Sequence, residues 1–465
     1  MSESKNVRLN KMGTEPILPL ILKMSLPAMF SMIIQALYNI VDSAFVGWYD
    51  PSGDALNAVS LAYPLQLLMI AFVVGTGVGV NSLIARRLGE GNKESASNVA
   101  VTGIVLAVLT WVIFALIGVF ASKPFIRFMA GSDNQNIVDL GTSYVSIVLI
   151  FSLASFVQVM IEKSIQATGN MIFPMISHLI GAISNIILDP IFIFGIDPII
   201  PSMGVAGAAV ATVLGQFLAM SFLIITVCVK KFAISFSLRG FRIKLGTIKE
   251  IYNVGLSGIV MQSIGAVLLS GINLIIGNSP APADINTAAQ TVYGLYFKIQ
   301  SFVFMPVFGL NQGISPIIGF NFGAKKRERM MKTLRYGLII SFIIMFAGLV
   351  IFNVFPSQIL SIFDVNKDIS DIGVKALRRI SLCFLPASVG VILTALFQAV
   401  GKGVRSLLMS VLRQLILILP IAFILSKISI DVMWFAFPIA EFGALIVAIL
   451  FFIDLNRKEF SKLGK

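Results

Sequence analysis

The stretch QLLMIAFVVGTGVGVNSLIARRLGEGNKE, residues 66–94, returns in altered form as QSFVFMPVFGLNQGISPIIGFNFGAKKRE at residues 300–328. One glutamine, three glycines and one isoleucine coincide, at an offset of about half the chain length. Residues 141–169 and 373–401 align at nearly the same offset and share the ending Q-A-x-G. Matches of this kind at one offset predict that the chain consists of two homologous halves.

The composition indicates that these halves lie in a membrane. Hydrophobic residues make up 57% of the chain and charged residues only 12%, and the mean hydropathy is +0.93. Soluble proteins contain about 25% charged residues. About twelve apolar segments approach or exceed the roughly 20 residues that span a bilayer. They cover residues 17–46, 56–85, 98–120, 140–161, 172–195, 204–229, 250–277, 285–319, 336–355, 374–400, 406–426 and 431–453.

The basic charge of the chain follows the same segments. The net charge is +13, and most of the 35 Lys and Arg residues fall in the two tails, the even-numbered connections and the adjoining helix ends, with Arg413 counted among them. Basic residues concentrate on the cytosolic side of membrane proteins. The pattern predicts a multi-pass protein of the plasma membrane with both termini in the cytosol. We expect its basic face to contact anionic lipid and not nucleic acid.

Twelve spans give each half six, so both halves enter the membrane in the same orientation. The fold class is therefore an all-α polytopic membrane protein with two pseudo-symmetric six-helix lobes. Parallel repeats of this kind place a substrate cavity between two bundles that rock against each other. We expect a monomer with a cytosolic tail (1–16), an N-lobe (17–229), a cytosolic amphipathic linker (230–249), a C-lobe (250–455) and a second cytosolic tail (456–465).

Polar residues inside the spans distinguish the two lobes. Asp42 and Asp189 lie in apolar spans of the first half, and the aligned positions of the second half carry no acid. Tyr38 and Asn185 each precede one of these acids by one helical turn. Thr212 falls at a similar depth, at about 1.5 Å per residue. These groups can hold Na⁺ through Asp42, Asn185, Asp189 and Thr212, or share a proton, or simply pack helices together.

Three other residues in the first half are candidates for moving parts. Pro27 and Pro190 each remove a helical hydrogen bond, so each either permits functional bending or is a tolerated kink. His178 is the only histidine and lies on the same helix face as Asp189, closer to the cytosolic end. It is either a proton relay or a residue that packs in the bundle or lines the cavity.

The second half offers two candidate charged residues inside its spans. Glu441 and Lys298 both lie in the middle of apolar spans, where an ionisable residue is a functional candidate. They either pair with each other across the C-lobe or line the cavity. In the first half, Glu162 and Lys163 fall near a predicted cytosolic helix end, so we expect them to be solvated.

No enzyme motif interrupts this pattern. The sequence contains neither a phosphate-binding GxxxxGK[ST] loop nor an HExxH motif, which argues against direct use of ATP and against a metalloprotease. Cys228 and Cys383 lie far apart, so neither a disulfide framework nor a CxxC metal site is predicted. We expect a secondary transporter without a cofactor, in which H⁺ or Na⁺ serves as the coupling ion.

The segments LPAMFSMIIQALYNIVDSAFVG, ARRLGEGNKE, QATGN, NIILDP and GVAGAAVAT together resemble the MATE (multidrug and toxic compound extrusion) transporters, on the DinF-like and MepA-like side of the family. The resemblance covers nearly the whole chain. It implies the export of bulky, often cationic or aromatic compounds in exchange for H⁺ or Na⁺. It also implies a cation site in the N-lobe at positions that match Asp42, Tyr38, Asn185, Asp189 and Thr212, and a helix-bending role for Pro27.

Two other functions fit the same scaffold. A flippase for lipids or lipid-linked oligosaccharides would line its cavity with several cationic residues to hold pyrophosphate, and here Lys298 is the main one. A channel would conduct without a coupling gradient. The family's other branch carries acids in helices seven and ten, and this chain has none there, so the resemblance favours coupling in the N-lobe.

Overall fold

The computed structural model describes residues 11–50, 52–130, 134–237, 241–363 and 366–463. In this part of the chain ten helices are long and apolar enough to cross a membrane, or twelve if each of two bent helix pairs is counted as one span. We number these spans 1 to 12. Their bounds are Ile17–Tyr49, Asp54–Gly89, Lys93–Phe120, Gln135–Ile150 with Leu153–Ala167, Ile172–Phe194, Val205–Val229, Leu245–Gly277, Ala283–Gly323, Arg327–Val354, Lys367–Ser381 with Phe384–Ala399, Gly403–Ser426 and Ile430–Lys462.

The repeat in the sequence reappears as a repeated order of elements. Span 4 is bent by 45° between its two helices, and span 10 is bent by 48° at the corresponding place. A short helix precedes each of these bent spans, Ser122–Ala130 before span 4 and Pro356–Ser361 before span 10. The prediction of an all-helical membrane protein with twelve spans is thus confirmed, and the two halves are bent at corresponding spans.

The two lobes approach each other most closely along spans 1, 2, 7 and 8. Span 2 packs on span 7 and span 1 packs on span 8. A side chain at Gly79 would overlap the backbone carbonyl of Ile251, and one at Gly313 would overlap Ser25. Glycine at these positions lets the helix backbones come together, as small residues do in many membrane proteins.

Polar contacts close one end of this interface. We call it the terminal face, because the described chain begins and ends there. Lys163 donates a hydrogen bond to Gln312 at 2.9 Å, and Arg87 pairs with Glu250 at 3.0 Å. Every hydrogen bond described between residues 11–229 and residues 250–463 lies in the half of the interface nearer this face. The terminal face is therefore closed.

The linker between the lobes packs on protein with its apolar side. Span 7 begins at Leu245, so the linker without helix is shorter than the predicted 230–249. Phe232 contacts Phe173 edge to face at 5.9 Å, and Ile234 is buried. Its exposed residues include Lys230, Lys231 and Arg242, whereas 238–240 lie outside the described residues. Only part of the apolar side of the linker rests on the N-lobe, since Ile243 is 60% exposed, and the interpretation of this segment as an amphipathic lipid-surface element stays a prediction.

The half of the C-lobe away from the terminal face has its own aromatic core. Tyr293 and Tyr296 of span 8 pack on Phe437 of span 12 and on Phe352 of span 9. Phe384, at the start of the second helix of span 10, joins the same group. Cys383, at the bend of span 10, and Ile418 of span 11 belong to the same buried cluster.

Candidate functional site

Two acidic residues meet inside the N-lobe. Asp42 of span 1 and Asp189 of span 5 have carboxyl groups within hydrogen-bonding reach of each other. Asp189 is completely buried. Two ionised carboxylates can only accept hydrogen bonds. Their contact is therefore stable only when one of them carries a proton or when a cation lies between them.

An amide and a hydroxyl complete this group. Asn185 lies one turn before Asp189 on span 5, and its Nδ2 donates to Asp189 Oδ1 at 3.1 Å and to Thr212 Oγ1 at 3.3 Å. Tyr38, one turn before Asp42, lies close enough to interact electrostatically with both acids. The structure thus brings together the five residues that the sequence analysis assigned to a cation site. Three spans, 1, 5 and 6, supply them.

Three oxygens of this group receive no hydrogen bond from any described residue. They are Oδ1 of Asp42, Oδ1 of Asn185 and Oδ2 of Asp189, and all three are buried. A buried acceptor without a donor costs about 1–3 kcal/mol. Carboxylate and amide oxygens are suitable ligands for a hard cation, and a carboxylate also takes a proton. These oxygen ligands therefore suit an incoming H⁺ or Na⁺.

Two further residues adjoin the acids and were not singled out from the sequence. Tyr144 of span 4 is buried and lies close enough to interact with Asp42, Asp189 and Gln66 of span 2. Gln66 is one of the residues that the internal repeat preserves, and this match was the sequence signal that could have identified it. Tyr144 gave none, since a tyrosine inside an apolar helix is also an ordinary packing residue.

The two prolines lie within continuous helices. Span 1 continues through Pro27, and Ser31 Oγ donates to the Pro27 carbonyl at 3.0 Å. Span 5 continues four residues beyond Pro190, to Phe194. Each proline leaves one carbonyl without its helical partner, which lowers the resistance of the helix to bending. Their functional role stays a prediction.

Glu162 and Lys163 are buried, so the expectation that they are solvated was wrong. Glu162 is 2% exposed, and its Oε2 lies 3.0 Å from Nε2 of His178 on span 5. Lys163 Nζ lies 3.4 Å from Glu162 Oε1 and donates to Gln312 of the other lobe. Their local sequence resembles a helix end near water. The partners that make burial tolerable, His178 and Gln312, are remote in sequence.

In the C-lobe, the ion pair of Glu441 differs from one of the two predictions. Glu441 Oε1 lies 3.5 Å from Nη1 of Arg413 on span 11. Lys298 is exposed, and within the described residues it makes no ion pair. The pairing of Glu441 with Lys298 was therefore wrong, because the packing of span 12 against span 11 places Arg413 beside the acid. Arg413 lies inside span 11 and not at its end, where the charge count had placed it.

Comparisons with known proteins agree with this architecture. The profile of the MatE family matches residues 27–191 and 284–424. The chain is 26% identical over 405 residues to the multidrug export protein MepA of Staphylococcus haemolyticus, covering 87% of this chain and 86% of that protein. It is 25% identical over 412 residues to the probable multidrug resistance protein NorM of Thermotoga maritima, covering 88% and 85%.

A solved structure of similar fold shows the same organisation. It is the outward-facing conformation of a multidrug resistance MATE family transporter of the MOP superfamily. The TM-score is 0.87 at 25% identity, and the alignment covers 100% of this chain and 99% of that chain. The family profile spans both lobes and includes Asp42 and Asp189. The chain therefore belongs to the MATE family of membrane transporters.

Proposed function

We propose that this chain is a multidrug efflux antiporter that exports bulky aromatic or cationic compounds across the plasma membrane and takes up H⁺ or Na⁺ in exchange. Membership of the MATE family and the names of its relatives support multidrug export. The observation that carries the coupling is the contact of Asp42 with Asp189 beside three buried oxygens that lack donors. Such a group is incomplete until an ion binds.

The coupling follows from differential binding. An ion that binds the acid pair more tightly in one lobe arrangement shifts the population toward that arrangement. With both termini in the cytosol, the terminal face is the cytosolic one, and its closure corresponds to a state open to the outside. In this outward-open state the acids bind an ion from outside, and the cavity releases the drug. When the opposite arrangement forms, they release the ion inside and the cavity takes up drug.

The acid group also favours this function over the flippase alternative. A pyrophosphate-bearing lipid carrier needs several cationic side chains in its cavity. The buried N-lobe group consists instead of two carboxyls, an amide and hydroxyls, all of which suit a cation. Arg413, which lies inside span 11, already pairs with a carboxylate.

We further propose that the protein works as a monomer in contact with anionic lipid. One chain supplies both lobes and the whole interface between them. The basic side of the linker, with Lys230, Lys231 and Arg242 exposed, lies at the terminal face, where phosphate headgroups of the cytosolic leaflet would meet it.

Efflux of ethidium from proteoliposomes tests this proposal. We expect wild-type efflux to stop when one gradient is collapsed, by a protonophore or by a sodium ionophore, and the effective agent names the coupling ion. Asp42→Asn and Asp189→Asn are expected to abolish gradient-driven efflux. Asp139→Asn, which changes an exposed carboxyl of the same lobe, serves as the matched control.

Two outcomes would contradict the proposal. Normal efflux by both Asp variants would show that the N-lobe acids do not couple. Efflux that continues after both gradients are collapsed would indicate a channel.

A further inference from the structure

Spans 11 and 12 carry an ion pair in the middle of the C-lobe. Arg413 lies ten residues after the start of span 11, at about 15 Å along the helix. Its partner Glu441 is 7% exposed. Charged residues at this depth are rare and face the bundle interior or a water-filled cavity. The side chain of Arg413 is 21% exposed and is the less buried partner of the pair, since that of Glu441 is 10% exposed.

The backbone around this pair is irregular in two spans. Arg413 belongs to the π-helical segment Leu412–Ile418, and such segments often occur at functional sites. Cys383 lies at the bend of span 10 and belongs to the same buried cluster as Tyr296. Both Cys383 and Tyr296 interact electrostatically with Glu441. The acid is thus surrounded by the segments of the C-lobe that are best able to rearrange.

The pair of Arg413 and Glu441 is not explained by a need to hold span 11 against span 12. Arg405 and Asp454 already join the same two spans near the terminal face, at 2.6 Å, and Arg405 also donates to the carbonyl of Phe451. An apolar pair of similar volume generally stabilises an interior as well as a buried ion pair does, or better. The longer separation of Arg413 from Glu441, 3.5 Å, shows a looser contact than the one near the terminal face.

We propose that Glu441 is a specificity-determining residue that binds the positive group of a transported organic cation, and that Arg413 occupies this carboxylate when no cation is bound. The guanidinium acts as an internal substitute for the ligand. An arriving cation takes its place, and Arg413, the less buried partner, turns away from the acid. This inference rests on the proposed export function and adds a second recognition site, in the lobe without the acid pair.

Binding of tetraphenylphosphonium, a permanent cation, to the purified full chain in lipid nanodiscs tests the proposal by isothermal titration. Glu441→Gln removes the ligand and should weaken binding about tenfold, a change of about 1.4 kcal/mol. Arg413→Gln removes the internal competitor and should tighten binding about tenfold. The matched control is Asp454→Asn, which breaks the ion pair of the same two spans outside this cluster and should leave the Kd unchanged.

Opposite shifts in the two variants support the proposal. Shifts in the same direction, or no shift in either variant, would overturn it, because a structural role weakens the site whichever partner is removed. If Arg413→Gln does not fold, export decides the question. Glu441→Gln should then lower ethidium export about tenfold relative to export of the uncharged dye Nile red, and an equal loss of both would refute the inference. Absence of any export by the wild type would instead refute the proposed function.

Discussion

Spans 5 and 6 of the N-lobe and spans 11 and 12 of the C-lobe are counterparts in the repeat, yet they place charge in different ways. In the N-lobe, Asp189 meets a second acid, and buried oxygens remain without donors. In the C-lobe, Glu441 meets a cation from the same chain. In the proposed mechanism an ion from solution completes the N-lobe group, whereas the C-lobe group is complete until a ligand displaces Arg413. Two lobes of one ancestry can thus divide coupling and recognition between them.

The largest expected effect is on the free energy of unfolding, and it should differ between the C-lobe ion pair and the N-lobe acid group. Glu441→Leu leaves Arg413 without its counter-ion and should lower the free energy of unfolding by about 3 kcal/mol, whereas the double variant Arg413→Leu/Glu441→Leu should recover most of that loss. Asp189→Asn should not destabilise, because an amide can donate to Asp42. Thermal unfolding midpoints in detergent measure all three. A stable Glu441→Leu protein would show that the C-lobe pair is not desolvated.

The second prediction compares transport. Asp189→Asn should reduce gradient-driven ethidium export at least about 100-fold, because the ion then has no differential affinity for the two lobe arrangements. Glu441→Gln should reduce it only about tenfold, since it removes one ligand of the substrate and leaves coupling intact. Initial efflux rates at matched protein amounts decide this. Equal losses would mean that both lobes take part in coupling, and the comparison would fail.

The amide and hydroxyl of the N-lobe group should matter less than its acids. Asn185→Ala removes hydrogen bonds to both Asp189 and Thr212 and should cost about 1–2 kcal/mol in ion affinity. Thr212→Ala removes one of these bonds and should cost less, and Thr212→Ser, which keeps the hydroxyl, should behave as the wild type. The ion concentration at half-maximal efflux measures the series. An Asn185→Ala protein with unchanged ion dependence would exclude the amide from the site.

The smallest effect is expected at Lys298. Its side chain is exposed and forms no ion pair among the described residues, so Lys298→Gln should change ethidium export less than about twofold. Arg413→Gln, which is expected to change the affinity for the organic cation, is compared with Lys298→Gln in the same assay. A large loss of ethidium export in Lys298→Gln would show that Lys298 of span 8 is the functional cationic residue of the C-lobe. It would restore the cavity-lining role considered for this lysine.

Much of the architecture followed from local features of the sequence. Apolar length gave the spans, and the offset of the repeat gave two equal halves. The spacing of four between Asn185 and Asp189 places them on one helix face whatever surrounds the helix, so their hydrogen bond could be anticipated. Equal depth along three helices was enough to gather Asp42, Asp189 and Thr212 at one level. These properties depend on a single helix or on the thickness of the bilayer.

Other properties depend on how each helix is rotated within the bundle. Lipid is as apolar as leucine, so the pattern of apolar residues does not reveal which face of a span points inward. The partners Arg413 for Glu441, Gln312 for Lys163 and His178 for Glu162 were therefore beyond the sequence. They were fixed only when all the spans packed together, and so was the closure of the terminal face. The sequence by itself determined which polar groups enter the membrane and at what depth; the tertiary structure decided which of them meet, because contact between helices depends on rotations that no single helix encodes.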